Sequence, residues 1–234
     1  MKWGIGTPLH LIPDLRRRWV LRKSPAGPLR DYLEAPFPKS SMDYREVALL
    51  AVDIETTGLD PKRDAILSVG CAEVQHNRID LGSACHRLVR TARAIPEGSA
   101  VVNWITDDQA AQGKCLEVVL AELLERLAGK VLIVHHATME KGFLGNACRR
   151  IYGVGLPLLI IDTQALAKRI YERRHIPYEG SDLSLHALGV GYNLPRYRAH
   201  NALSDALATA ELFLAQASYR DHGKGVPLRD FLAW

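Results

Sequence analysis

An unbroken apolar run, Val47 to Val52, ends in the octapeptide DIETTGLD at residues 53–60. This stretch restricts the fold more than any other in the chain. A short apolar run bounded by Gly and Pro predicts a buried strand, here Val47–Glu55. Strand side chains two residues apart share a face, so Asp53 and Glu55 point the same way, roughly 7 Å apart along the chain. Two carboxylates at the end of a core strand repel each other, and burying them is costly unless a cation lies between them. Hard divalent ions such as Mg²⁺ and Mn²⁺ take oxygen ligands of this kind. A surface strand end with two solvated acids is the competing reading. The attached Thr56-Thr57-Gly58-Leu59-Asp60 favours the metal site, because Gly58 lets the backbone turn sharply beside the acids.

The pattern downstream is strand-rich at first. Ala65–Val74 predicts a second strand after the Asp60-Pro61 turn, and Ile79–Val89 predicts an edge strand beside it. A helical stretch begins at Asp107 and continues through Leu116–Leu127, where Gly129 ends it. Lys130–Val134 reads as a buried parallel strand, followed by a helix over 138–151. Leu158–Ile161 and residues 163–174 repeat that strand–helix pair. A small helix starts over Leu183–Leu188, and a long one covers Ser204–Ala217. Strands that meander and then alternate with helices predict an α/β fold with a mixed sheet flanked by helices.

A chain of 234 residues with 47% hydrophobic content fits one medium domain with an appendage. The expected division is a basic, Pro-rich N-terminal extension at 1–45, a compact domain at 46–217 and a C-terminal tail at 218–234. Within the extension, Leu15–Lys23 reads as a short basic helix, and Pro25, Gly27, Pro28, Pro36 and Pro38 interrupt regular structure. Residues 1–40 hold eight Lys/Arg against three Asp/Glu, whereas the remainder is nearly balanced. Such an arm either meets a polyanion or is simply solvated. The sequence PLRDYL at 28–33 recurs as PLRDFL at 227–232. The recurrence is either chance or a pair of equivalent docking contacts, made across a dimer or against the core.

Cys71, Cys85, Cys115 and Cys148 are widely spaced, with no C-x-x-C pair and no zinc-type spacing. Reduced core thiols and a cytoplasmic setting are expected. Trp3–Ile12 is too short and too broken by Gly and Pro for a secretory leader. No segment reaches the ~18 apolar residues of a membrane span, so no membrane partner is expected.

Three further positions carry chemistry. Glu140 lies in the first turn of the helix after the strand ending at Val134, with Phe143 and Leu144 packed at i+3 and i+4. His200 precedes the last long helix, and Asp205 lies near its start. Each has a bland reading alone: Glu140 and Asp205 as first-turn acids that suit the helix dipole, His200 as a structural histidine. The i, i+5 spacing across a loop-to-helix junction can nevertheless aim His200 and Asp205 at one point.

Together these segments resemble the DEDDh branch of the DnaQ-like 3′→5′ exonucleases, a family that includes the proofreading epsilon subunits of bacterial DNA polymerase III, RNase T and oligoribonuclease. Asp53 and Glu55 match the D-x-E of its first motif, with the T-T-G-L-D tail. Residues 136–144 match the second motif, and His200 with Asp205 match the third, H-x(4)-D. IPEGSAVVNWITDD at 95–108 resembles the loop before the substrate-side helix, and IDTQALAKR at 161–169 the usual D-T segment. The resemblance covers about residues 46–215 and departs in two places. Glu140, one methylene longer, replaces the second-motif Asp, with His136 and Met139 in place of the usual Asn and Phe. Asn103-Trp104-Ile105-Thr106 stands where His-Gly-Ile-Thr is common.

The resemblance implies a ribonuclease H-like fold and a metal-dependent 3′→5′ exonuclease acting on single-stranded DNA or RNA. Two ions, Mg²⁺ or Mn²⁺, would be held by Asp53, Glu55, Asp205 and Glu140, with Asp53 shared. His200 would take the proton from the attacking water. Thr56, Thr57, Gly58, Leu59, Trp104 and Phe143 would contact the substrate; for Trp104, stacking on a terminal base and core packing both stay open. Carboxylate pKa values should be raised in the metal-free protein. The implied partners are a nucleic acid with a free 3′ end, a DNA polymerase subunit and a second copy of the chain. A non-catalytic nucleic-acid or polymerase-binding module, with Glu140 as its mark, is the alternative; so is a proofreading subunit that acts only within a polymerase complex.

Overall fold

A computed structural model describes residues 12–91, 95–221 and 223–233. The first eleven residues of the N-terminal extension lie outside the described residues. Five strands form one sheet in the order β3-β2-β1-β4-β5. They are β1 (Leu49–Thr56), β2 (Ile66–Gln75), β3 (Arg78–Leu88), β4 (Val131–Val134) and β5 (Ile160–Asp162). The first three form an antiparallel meander, while β4 pairs parallel with β1 and β5 parallel with β4. His76 and Asn77, with φ of 51° and 59°, make the tight reversal between β2 and β3. Two consecutive left-handed residues are what the right-handed twist of a two-residue hairpin requires. All four residues of β4 are buried, as expected for a strand covered on both faces.

Nine helices surround the sheet among the described residues. They are α1 (Ile12–Leu21), α2 (Pro28–Glu34), α3 (Glu97–Asn103), α4 (Asp107–Ala111), α5 (Leu116–Leu127), α6 (Thr138–Tyr152), α7 (Thr163–Arg173), α8 (Leu185–Gly191) and α9 (Ala202–Arg220). The alternation of β1 divides the core. Leu50, Val52 and Ile54 pack with buried residues of α2, α5 and α6. Leu49 and Ala51 face the other way, toward Ala210, Phe213 and Ala217 of α9 and toward Leu228, Phe231 and Leu232. Asp53 and Glu55 continue the second set, so the acids belong to the α9 face.

The order of strands and helices agrees with the mixed sheet expected from sequence, and three local features differ. The stretch from Asp107 to Leu127 is not one helix. Around Gly113 it makes a short bridge to the end of β3, with Arg90 N–H donating to the Lys114 carbonyl at 2.8 Å and Lys114 N–H to the Leu88 carbonyl at 3.0 Å. A Cβ on Gly113 would lie 2.8 Å from that backbone. Residues 97–103, read as part of a loop, form α3. PLRDYL forms the helix α2, started by Pro28 in its first turn, whereas PLRDFL makes a single 3₁₀ turn.

The two halves of that repeat dock on opposite faces of the sheet. Leu29, Tyr32 and Leu33 enter the α5–α6 side, and the Tyr32 hydroxyl donates to the Pro157 carbonyl at 2.7 Å. Leu228, Phe231 and Leu232 enter the α9 side. All four cysteines are free. No helix among the described residues is long and apolar enough to cross a membrane.

Candidate active site

The acidic end of β1 is met by the start of α9. Carboxylate oxygens of Asp53, Glu55 and Asp205 lie within 4.8 Å of one another. This close approach depends on Gly70, which stands opposite Asp53 on β2. A Cβ on Gly70 would lie 2.1–2.2 Å from the backbone of Ala202 and Leu203. The glycine therefore lets the first turn of α9 rest directly on the sheet and carries Asp205 to the β1 acids. Asn201 caps the helix, its side chain accepting from Ser204 N–H at 3.1 Å.

Glu140, on the first turn of α6, is near enough for its charge to act on Asp53. It is 2% exposed, and its Oε2 has no hydrogen-bond partner in the protein. The turn before it is organised by Asp162, at the end of β5. One Asp162 carboxylate accepts the backbone N–H groups of His136 and Ala137 at 3.1 and 2.9 Å. It also caps α7, accepting from Gln164 and Ala165 N–H at 3.0 and 3.2 Å. His136 adopts φ 71° within that turn. In the sequence, Asp162 is legible only as part of a D-T segment. The signal available was an acid between an apolar strand and a helix, the pattern of an N-cap.

His200 is exposed on the loop before α9, with φ 64°, a conformation that costs energy for a residue other than glycine. Its backbone N–H donates to Asp205 Oδ2 at 2.8 Å, so one bond couples the loop to the acid cluster. Asp53, His200 and Asp205 line a common cavity of about 330 Å³. His135 lines the same cavity but is engaged by Thr163 Oγ1 at 2.8 Å and the Leu183 carbonyl at 3.0 Å. Burial pulls its pKa down to about 4, which holds it neutral and fixed.

The loop after β1 is tied to itself and to α3. Thr56 Oγ1 donates to the Gly58 carbonyl at 2.6 Å, and Thr57 Oγ1 to Asp64 at 3.1 Å. A Cβ on Gly58 would fall 2.5 Å from the Asp64 carboxylate, so a larger residue there would displace the side chain that holds Thr57 and the Asp60 backbone. Ser99 Oγ and Asn103 Nδ2 both donate to the Thr56 carbonyl, at 2.9 and 3.0 Å. This anchor sets Trp104, the left-handed residue that ends α3, beside the cleft. Leu59 and Trp104 are 81% and 64% exposed, so core packing does not account for Trp104. The Arg198 guanidinium lies 4.1 Å from the centre of its ring, joining the end of α3 to the loop that carries His200. Phe143 is not brought to the cleft surface. It is 3% exposed within the α5–α6 core, because i+3 from the inward-facing Glu140 is again an inward position.

Burial raises all four acids, and repulsion from other cluster carboxylates adds to it for Asp53 and Glu55. Asp53 is driven well above the carboxylate range by burial, then by Glu140, Glu55 and Asp205. Burial followed by Asp205 lifts Glu55 to about 7. Burial lifts Glu140 to about 8, its own backbone N–H opposing and Asp162 adding. Asp205 is raised by burial against the lowering bonds from the His200 and Asn201 backbone. Three converging carboxylates and a fourth with an unpartnered buried oxygen make an all-oxygen donor set that fits a hard divalent cation.

The exonuclease family of RNase T matches residues 50–213 of this chain. The PolC-type DNA polymerase III of Thermotoga petrophila is 31% identical over 171 residues, 73% of this chain but 12% of that polymerase. The epsilon subunit of DNA polymerase III from Treponema pallidum is 27% identical over 184 residues, covering 78% of this chain and 82% of the subunit. Among solved structures, the nuclease domain of 3′hExo, a DEDDh family member bound to rAMP, superposes with a TM-score of 0.64 at 15% identity. That match covers 80% of this chain and 98% of the domain, and the shared architecture is the ribonuclease H-like sheet flanked by helices. A family match over most of the folded domain, with the acidic cluster inside it, means that this chain belongs to the RNase T-type exonucleases.

Proposed function

We propose that this chain is a metal-dependent 3′→5′ exonuclease that shortens single-stranded DNA or RNA and releases nucleoside 5′-monophosphates. The observation that carries this reading is the convergence of Asp53, Glu55 and Asp205 within 4.8 Å, with Glu140 and His200 beside them. Asp53, Glu55 and Asp205 would hold one Mg²⁺ or Mn²⁺, and Asp53 with Glu140 a second. Such ions, when bound, acidify water and stabilise the charge that develops on the phosphate and leaving oxygens. His200 serves as general base, its imidazole accepting the proton of the attacking water. Its exposed loop admits water, while the bond to Asp205 keeps it near the acids. The Thr56–Leu59 loop seats the terminal sugar and phosphate, and Trp104 stacks on the terminal base.

The catalytic unit is taken as residues 46–217, with the flanking segments serving its stability and contacts. The match along 82% of an epsilon subunit favours a second reading, a proofreading role beside a polymerase in the cytoplasm. Capture of a polymerase subunit by the intact chain would support that reading, and full activity of a free homodimer would count against it. A non-catalytic module is separated by metal titration, since it would show no saturable Mn²⁺ binding.

The deciding experiment is a time course on 5′-labelled DNA and RNA oligomers, single- and double-stranded, with Mg²⁺ and with Mn²⁺. A ladder descending one nucleotide at a time from the 3′ end is expected. Asp53→Asn and Asp205→Asn should abolish it with folding retained; full turnover in either variant refutes the assigned roles. His200→Ala should keep metal binding and lose most turnover.

A further inference from the structure

A second concave site lies at the far end of α9 from the acid cluster. Asp205 and Arg220 are separated by roughly 22 Å of helix. There α7, α9 and the C-terminal segment enclose a pocket of about 350 Å³. Four arginines line it: Arg169, Arg173, Arg174 and Arg220. Asp230 pairs with Arg220 at 3.1 Å and with Arg229 at 4.0 Å. Among the described residues, no carboxylate lies within ion-pair distance of Arg169, Arg173 or Arg174. Arg169 is partly buried and donates to the Phe231 carbonyl at 3.4 Å. Burial, then the Arg220 and Arg173 charges, push its pKa down. Asp162 and Asp230 oppose that push on Arg169, and Asp230 is held by Arg220, so four guanidiniums share a concave surface with fewer carboxylates than positive charges.

Two further features shape the pocket. Gln216 forms part of its wall and is 3% exposed. Its Nε2 donates to the Thr163 carbonyl at 2.9 Å, but its Oε1 has no partner. A buried acceptor left unpaired is costly and calls for a donor. The rings of Tyr192 and Tyr219 meet edge to face at 5.3 Å on the rim, and Leu166, Ile170 and Phe231 supply apolar lining.

We propose that this pocket binds a nucleoside phosphate: the guanidiniums take the phosphate, and the apolar and aromatic lining takes the base. Guanidinium forks match phosphate oxygens in shape as well as charge. The volume sits at the small end of ligand pockets, which suits one nucleotide and excludes a duplex. The site is separate from the acid cluster and does not depend on the nuclease reading.

Titration calorimetry of AMP into the intact chain, with EDTA present, tests it. Saturable binding is expected in the wild type and equally in Asp53→Asn. The double variant Arg173→Ala/Arg174→Ala, which removes two exposed side chains and spares the core, should weaken binding roughly tenfold or more. Inorganic phosphate and adenosine should each bind more weakly than AMP. Loss of binding in Asp53→Asn would place AMP in the catalytic cleft and overturn the proposal. Undiminished affinity in the arginine variant, equal affinity for phosphate alone, or binding confined to an oligonucleotide would overturn it too. No turnover is measured, so failure of the nuclease reading leaves these outcomes distinct.

Discussion

Glu140 stands where the sequence resemblance expects an aspartate, and its surroundings give the longer side chain a buried, partly unpartnered carboxyl. Its carboxyl is pushed up to about 8 with Oε2 unpartnered, and Glu55 is pushed up to about 7. Near neutral pH the metal-free site therefore retains protons that a bound cation must displace. Mn²⁺ binding measured in buffers of different ionisation enthalpy should release more protons per chain at about pH 6 than at about pH 8.5. Equal release at both pH values would contradict the raised pKa values. The same shifts govern stability. An acid whose pKa rises on folding stabilises the fold fully below its unfolded value, and that contribution disappears as pH climbs through the folded value. For Glu140 the window runs from 4.5 to about 8. Metal-free Glu140→Gln should accordingly melt higher than wild type at about pH 9 by an amount that shrinks toward pH 5, while its metal-dependent turnover is lost. Melting curves at both pH values check the sign. The first two acids are visible in sequence because strand alternation puts them on one face. Asp162 was not, because its work is to bind four backbone N–H groups from two separated segments.

Secondary structure positions these side chains through close backbone approach as much as through helix and strand propensity. Gly70 is the clearest case: with a Cβ 2.1–2.2 Å from Ala202 and Leu203 backbone atoms, α9 must lift from the sheet. Gly70→Ala should lower the melting temperature and weaken Mn²⁺ affinity together, because Asp205 moves away from Asp53 and Glu55. Gly98→Ala, in α3 with nothing within 4 Å of the added carbon, is the control and should change neither property for the worse. A Gly70→Ala protein with wild-type metal affinity would remove the role assigned to that contact. Elements with a buried stripe, such as α5, β4 and α9, were readable from periodicity. α3 was not, since its Val101 and Val102 are 65% and 44% exposed and leave no apolar face to detect. The break at Gly113 was equally hidden, because what ends the helical run is a backbone pairing with residues 88–90, far away in sequence.

Across the whole molecule, the sheet has two faces, and one chain flank closes each. The N-terminal flank covers α5 through Leu29, Tyr32 and Leu33. The C-terminal flank holds α9 against the start of β1 through three rings. Phe231 lies 5.0 Å from Tyr44 and 5.5 Å from Phe213, and Tyr44 lies 6.0 Å from Phe213. Aromatic triads of this sort combine large buried area with favourable edge-to-face geometry. The same helix carries Phe213 and Asp205, so the tail steadies the element that completes the acid cluster. Phe231→Ala should cost about 3–5 kcal/mol, lowering the melting temperature by roughly 10 °C in a domain of this size. Tyr32→Phe, which loses only the hydroxyl bond to the Pro157 carbonyl, should cost about 1 kcal/mol. Thermal melts with and without Mn²⁺ separate the two flanks: the cation should recover part of the Phe231→Ala loss, because it binds only when α9 is docked. If Phe231→Ala melts with the wild type, the C-terminal segment is a detachable arm, and the α9 face must be held by the sheet alone.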